Sequence, residues 1–166
     1  MRCRRDLTGL PVVEVDSGRV RGKVRDVVFN LDRGRVRGLV VSPTAGESGF
    51  LPFEQVYKVG VSAVTVGVEA QILPWDGTEG DRAGAPLGKR VLSCEGEVLG
   101  VVDDVLFDPE SGAVWGYQVT RGLLSDLVDG KRGVSLTDEV VVGPDSVVVP
   151  NGRLDPPQAG EGGGSG

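Results

Sequence analysis

The chain has 166 residues, a mass of 17.4 kDa and a formal net charge of −6, with no histidine and only two cysteines. The missing imidazole removes the commonest general base and metal ligand, and excludes a Ser-His or Cys-His nucleophile within this chain. No apolar run reaches the roughly 18 residues of a membrane-crossing helix, and the basic start MRCRRDLTGL lacks the apolar stretch of a secretion signal, so a cytoplasmic location is expected.

Valine and glycine dominate and aromatic residues are few, which is the composition of a β protein. Residues 1–9 read as a short polar lead-in. Pro11 to Val15 then reads as a first strand that ends in the turn Asp16-Ser-Gly18. The next segment alternates, with Val20, Gly22 and Val24 on one face and Arg19, Arg21, Lys23 and Arg25 on the other. The apolar phase slips near Arg25-Asp26 and resumes at Val27 and Phe29, as a β-bulge requires. A reversal at Leu31 to Gly34 returns the chain as a partner strand over residues 35–42, and this pairing sets Phe29 opposite Val36 and Val28 opposite Arg37. Gly34 supplies the turn, and Gly38 in mid-strand implies close approach by a neighbour. Further short strands are expected within Phe50 to Val59 and Gly60 to Val66.

From Gly96 the chain repeats itself. With an offset of 78 and no gap, eleven residues of Gly18–Val41 recur in Gly96–Val119, among them Gly22/Gly100, Asp26/Asp104, Gly34/Gly112 and Gly38/Gly116. The second reversal, Asp108 to Gly112, is expected to end on Gly112 as the first ends on Gly34. The later strands align at an offset of 83, the longer excursion at 121–133 absorbing the difference. The expected organisation is a domain at 1–73, a breaker-rich linker at 74–86, a second domain at 87–150 and a disordered tail at 151–166. Several short strands with glycine turns imply an all-β fold of two small barrels or curled sheets.

The ordered series Gly-x-Val-x-Gly-x-Val-x-Asp-Val-x-Phe, a turn with Asp and Gly, then Val-x-Gly and an apolar strand, resembles the PRC-barrel family and occurs twice. Leu51-Pro-Phe-Glu-Gln-Val-Tyr-Lys-Val59 resembles that family's later segment, which the second unit lacks at Val134-Ser-Leu-Thr-Asp138. The resemblance implies tandem all-β PRC-type barrels that dock onto other macromolecules without catalysing a reaction.

No catalytic residue, metal or cofactor is expected. Cys3 and Cys94 have no zinc-ligand spacing and read as isolated reduced thiols. Asp103, Asp104, Asp108 and Glu110 group four carboxylates that suit a divalent cation, but Asp26 and Asp104 recur at the phase slip. A hydrogen bond to the bulge backbone is therefore the favoured role for those two. Residues 1–79 carry a net +1 and residues 80–166 a net −7, so a basic surface is expected only in the first half. There Arg19, Arg21, Lys23, Arg35 and Arg37 are candidate interaction residues, read either as a solubilising exterior or as a dock for an acidic partner. No aromatic residue interleaves with them along the strands, which weighs against single-stranded nucleic acid. In the second unit Leu99, Val101, Leu106 and Trp115 form an expected outward apolar cluster, covered either by the chain itself or by a partner. A protein partner is the preferred reading, with a homodimer, RNA or the ribosome, and peripheral contact with an anionic membrane as the alternatives.

Overall fold

The computed structural model describes residues 1–75, 77, 86–137 and 139–156. Most of the expected linker and the end of the expected tail, residues 157–166, lie outside the described residues. The chain falls into two compact units. One starts at Arg2 and includes Pro109–Val114; the other takes in Pro86–Asp108 and the chain from Trp115 onward.

In the first unit β1 (Arg2–Cys3) leads into a short helix α1 (Arg4–Leu7). There follow β2 (Pro11–Glu14), β3 (Val20–Asn30), β4 (Arg35–Pro43), β5 (Gly49–Pro52), a 3-10 turn at Phe53–Gln55, β6 (Val56–Val59), β7 (Val64–Val66) and β8 (Leu73–Pro74). The sheet runs β6-β7-β2-β3-β4-β5-β8, with β2 parallel to β7 and antiparallel to β3. The second unit has β9 (Arg90–Ser93), β10 (Val98–Phe107), β11 (Val114–Thr120), α2 (Leu123–Asp129), β12 (Arg132–Ser135), β13 (Val141–Val142) and β14 (Ser146–Val149). Its path, β12-β11-β10-β9-β14-β13, repeats the first path from β5 through β6, and β9 is again parallel to β14. The duplication read from sequence is thus a duplication of topology.

Cross-strand apolar pairs build the first core. Val24 sits opposite Val41, Val27 opposite Leu39, Leu39 opposite Leu51 and Val12 opposite Val64, all buried. Burying a Val or Leu side chain stabilises the fold by about 1.5–3 kcal/mol before entropic costs. The lead-in is not a loose polar segment as expected. Cys3 N–H donates to Asp6 Oδ2 at 2.9 Å and starts α1, which lies against β3 with Leu7 fully buried. Gly9 N–H and Val24 N–H then bond across to the Val24 and Leu10 carbonyls. Arg4, Arg5 and Asp6 before it and Thr8 and Gly9 after it hid a single buried leucine. At the other end of the chain Asp155 exchanges two backbone hydrogen bonds with Gly133, so the chain is held as far as that residue.

The expected bulge is present: Val24 pairs with Val41 and Asp26 with Val40, leaving Arg25 as the extra residue. Asp26 Oδ1 accepts Val27 N–H at 2.9 Å, and Asp104 Oδ1 accepts Val105 N–H at 2.7 Å, both carboxylates being buried. Two further irregularities lie outside the sequence reading. One falls between Val12 and Val13 on β2, where Val12 pairs with Gly22 but Val13 pairs with Val20, so that Arg21 is bulged; β9 and β10 repeat it with Leu99 between Val98 and Gly100. The other lies on β4, where Val28 pairs with Gly38 instead of Arg37, while Phe29 does pair with Val36.

The second reversal departs from the expectation that Gly112 merely ends a turn of the second domain. Gly112 does take a positive φ, +73°, as Gly34 takes +60°. However, Gly112 is buried, and its segment, Pro109–Val114, falls in the first compact unit instead of the second. There the Gly112 carbonyl accepts Val36 N–H at 2.7 Å, and Val114 N–H donates to the Gly34 carbonyl at 2.8 Å. These two bonds bracket an antiparallel bridge between Arg35 and Ala113. A Cβ on Gly112 would lie 2.7 Å from the Phe53 ring. The physical reason is that backbone groups at the start of β4 need partners, and the bridge satisfies them with backbone far along the chain. Turn chemistry, a local signal, could not show this.

The repeated glycines in the strands answer to close approaches as well. Gly22 and Gly100 take φ of +154° and +153°, and a Cβ on either would press into the carbonyl of Ser42 or Thr120. At Gly116 a Cβ would collide with the Val134 carbonyl of the paired strand. Gly116→Ala is therefore expected to cost about 1–3 kcal/mol in urea denaturation, as overpacking does. A change below about 0.5 kcal/mol would show that β11 and β12 are not in such close contact.

Candidate interaction surface

The first bulge reverses the faces of the strand it interrupts. Val20 and Val98 are 47% and 56% exposed, whereas their neighbours Arg21 and Leu99 are withdrawn from solvent. Arg21 Nη1 donates to Glu14 Oε1 at 3.1 Å and to the Ala70 carbonyl at 3.2 Å. It is therefore a half-buried ion-pair partner of Glu14, unlike the exposed cations of the basic row. Alternation alone placed it outside because one inserted residue puts the side chains on its two sides out of phase, so that Val20 and not Arg21 faces solvent.

Glu14 is itself buried and accepts from Ser17 Oγ at 2.7 Å. The Ser17 hydroxyl holds its carboxyl below the ordinary value against the opposing effect of burial, helped by the hydrogen bond and charge of Arg21 and the charge of Arg19. A carboxyl whose folded value is depressed adds stability that is present above its unfolded value and lost as pH falls through the folded one. Glu14→Gln should thus lower the denaturation midpoint at about pH 7, and the gap from the native chain should close in acid below the carboxylate range. A gap independent of pH would remove the ionic role.

Arg19, Lys23, Arg35 and Arg37 remain exposed, with Arg35 at the start of β4 opposite Asn30 and its Nη2 donating to the Ser111 carbonyl at 3.1 Å. Lys23 pairs with Ser42 across β3 and β4, and the Arg25 guanidinium reaches Ser48 Oγ at 3.2 Å. Arg37, the extra residue of the β4 bulge, places Cζ 5.7 Å from the centroid of the Phe50 ring. Phe50 in turn stacks on Trp75, with centroids 5.5 Å apart and planes at 20°. The tertiary fold thus sets two aromatic rings beside the basic strip, although neither is near it along the strands. A pattern confined to β3 and β4 had no access to them, because Phe50 arrives on β5 and Trp75 follows β8.

The apolar cluster of the second unit is largely internal. Leu99 and Leu106 are buried and Val101 and Trp115 are half-buried. A Cβ at Gly133 would lie 2.7 Å from the Trp115 ring and 3.3 Å from Leu106 Cδ1, so the indole and Leu106 pack over the glycine of β12. The chain itself supplies part of the cover, while Val101 and Trp115 keep partial exposure. The paired strands also show an exchange between the copies. In the first, a cation on β4 lies over an aromatic ring on β5; in the second, an aromatic ring on β11 lies over a glycine on β12.

Among the described residues no group of three His, Cys, Asp or Glu side chains is placed to hold a metal ion. Asp103 accepts from Gln118 Nε2 at 3.0 Å, while Asp104 is turned to the backbone. Tyr117 is buried, and burial pushes its phenol up from the usual value, away from acid-base work near neutrality. Cys3 is a buried free thiol and Cys94 an exposed one, its Sγ on the Pro150 carbonyl. No helix among the described residues is long and apolar enough to cross a membrane.

Trp115→Lys is expected to cost about 2–3 kcal/mol in denaturation through lost packing, with no change in elution volume on size exclusion. An altered elution volume at unchanged stability would return the indole to a partner interface.

Comparison with known proteins agrees with the repeated topology. The family model for the PRC-barrel domain matches residues 3–71 and again residues 79–155. The uncharacterized protein YrrD of Bacillus subtilis (strain 168) is 36% identical over 64 residues, 39% of this chain. The match spans 37% of the length of that relative.

Proposed function

The chain belongs to the PRC-barrel family twice over, and from that premise we propose that it is a non-enzymatic adaptor that binds a protein partner through the outer surface of its barrels. We take residues 1–73 and 87–150 as the two binding domains and the cytoplasm as their location. The interiors are filled with apolar side chains, so whatever the protein recognises is met from outside.

The observation that carries this reading is Tyr57. Strand β6 ends the sheet path of the first unit, and its pairing with β7 skips Tyr57, which stands at a bulge with 75% of its surface exposed. Val61, in the turn that follows, is 86% exposed, and Lys58 beside Tyr57 is exposed as well. A bulge blunts strand addition at this edge. It also thrusts out an amphipathic ring of the type that anchors protein interfaces. A photo-crosslinking aromatic residue placed at position 57 should give one discrete protein adduct in native lysate, unchanged by nuclease. Adducts absent, or lost after nuclease treatment, would remove the protein-adaptor reading.

A second reading, an RNA-associated factor, draws on the exposed cations of β3 and β4. It predicts binding that weakens as salt rises and is lost on charge reversal of Arg19, Lys23 and Arg37.

A further inference from the structure

We propose that Phe50 and Trp75, together with Arg37, form a base-stacking site for single-stranded nucleic acid on the outer face of the first barrel. The inference rests on the second reading above and gives it a location and a ligand chemistry.

Phe50 pairs with Val40 across β4 and β5, on the face opposite the core pair Leu39 and Leu51. Its ring tip rests against Gly38, where a Cβ would collide with it. The missing side chain lets the ring lie along the sheet. Trp75 extends this platform, and both rings are only half-buried. Stacked rings that keep partial exposure offer a π-surface to any unpaired base, and such stacking tolerates sequence.

Charge is complementary on the same face. Arg37 lies at one ring, and Lys23 stands opposite Ser42, two residues along β4 from Val40, which is about 7 Å. Arg25 lies at the neighbouring bulge and touches Ser48. Phosphates flanking a stacked base fall within reach of these side chains. Because the chain is acidic overall, attraction is short-ranged and stacking supplies the larger share. With about three cationic contacts, log K should fall with log salt at a slope of only about −2.

The second copy differs at three of these positions. Val101 stands for Lys23, Trp115 for Arg37, and Gly133 occupies the place of Phe50. Its indole packs over Gly133 with no second ring stacked on it among the described residues, so the paired-ring platform belongs to the first barrel.

The test uses the full chain carrying Trp115→Phe, which leaves Trp75 as the single tryptophan. Its fluorescence is titrated with an oligouridylate, an oligodeoxythymidylate, an abasic strand of equal length and an oligoglutamate, at low and moderate salt. Both base-bearing strands should quench Trp75, and the abasic strand should bind at least about tenfold more weakly. Phe50→Ala should weaken binding by a similar factor. Trp75→Ala, which follows the last strand of the unit, should do the same when binding is followed by the anisotropy of a labelled strand. A preference between the RNA and DNA arms would assign the sugar. Absence of quenching by either base-bearing strand overturns the proposal. Equal binding of the abasic strand also overturns it, while leaving the basic-strip reading standing. Equal quenching by oligoglutamate overturns it in favour of an acidic protein.

Discussion

A strand that follows a small curled sheet must bend, and here the bend is taken up by inserted residues. Arg21 and Leu99 are inserted where the second strand of each unit meets the first, Arg25 where β3 meets β4, and Arg37 on β4 itself. Each insertion sets two residues of one strand against one of its partner and changes the phase of the alternation across it. The glycines at 22 and 100, with their positive φ, permit the first of these bends in both copies. The assignment of side chains to inside and outside follows from where these insertions lie.

That constraint separates the two copies chemically while leaving their topology the same. At the inward bulge position the first copy has an arginine, which needs Glu14 and the Ala70 carbonyl to satisfy it; the second has a leucine, which needs only apolar neighbours. At the outward bulge of β4 the first copy shows a cation over a ring, whereas the second lays an indole over glycine. The first copy therefore keeps cations at positions where the second has apolar side chains, Leu99 buried and Val101 and Trp115 half-buried.

Membership of the PRC-barrel family and the match to an uncharacterized bacterial protein define the architecture without naming a ligand. The site is thus argued from chemistry. Buried carboxylates at the bulges are turned to backbone N–H groups, and burial raises the pKa of the Tyr117 phenol. The remaining distinctive groups, Tyr57 on one edge and the Arg37, Phe50 and Trp75 cluster on the β4–β5 face, present flat amphipathic surface, which is suited to recognition.

From residue order alone came the β class, the duplication, the Arg25 bulge, the Leu31–Gly34 reversal and the acceptor role of Asp26 and Asp104. Each is a local matter: alternation, turn chemistry and recurrence at a constant offset act over a few residues. Tertiary structure alone decided that Leu7 is core, that Arg21 and Leu99 point inward, that Gly112 is buried and bonded to the start of β4, that Trp115 packs over Gly133, and that Phe50 and Trp75 meet Arg37. These depend on register, and register is set by pairing between strands distant in sequence. One inserted residue puts the alternation on its two sides out of phase, and at Arg21 and Arg37 only the pairing with a distant strand shows where the insertion lies.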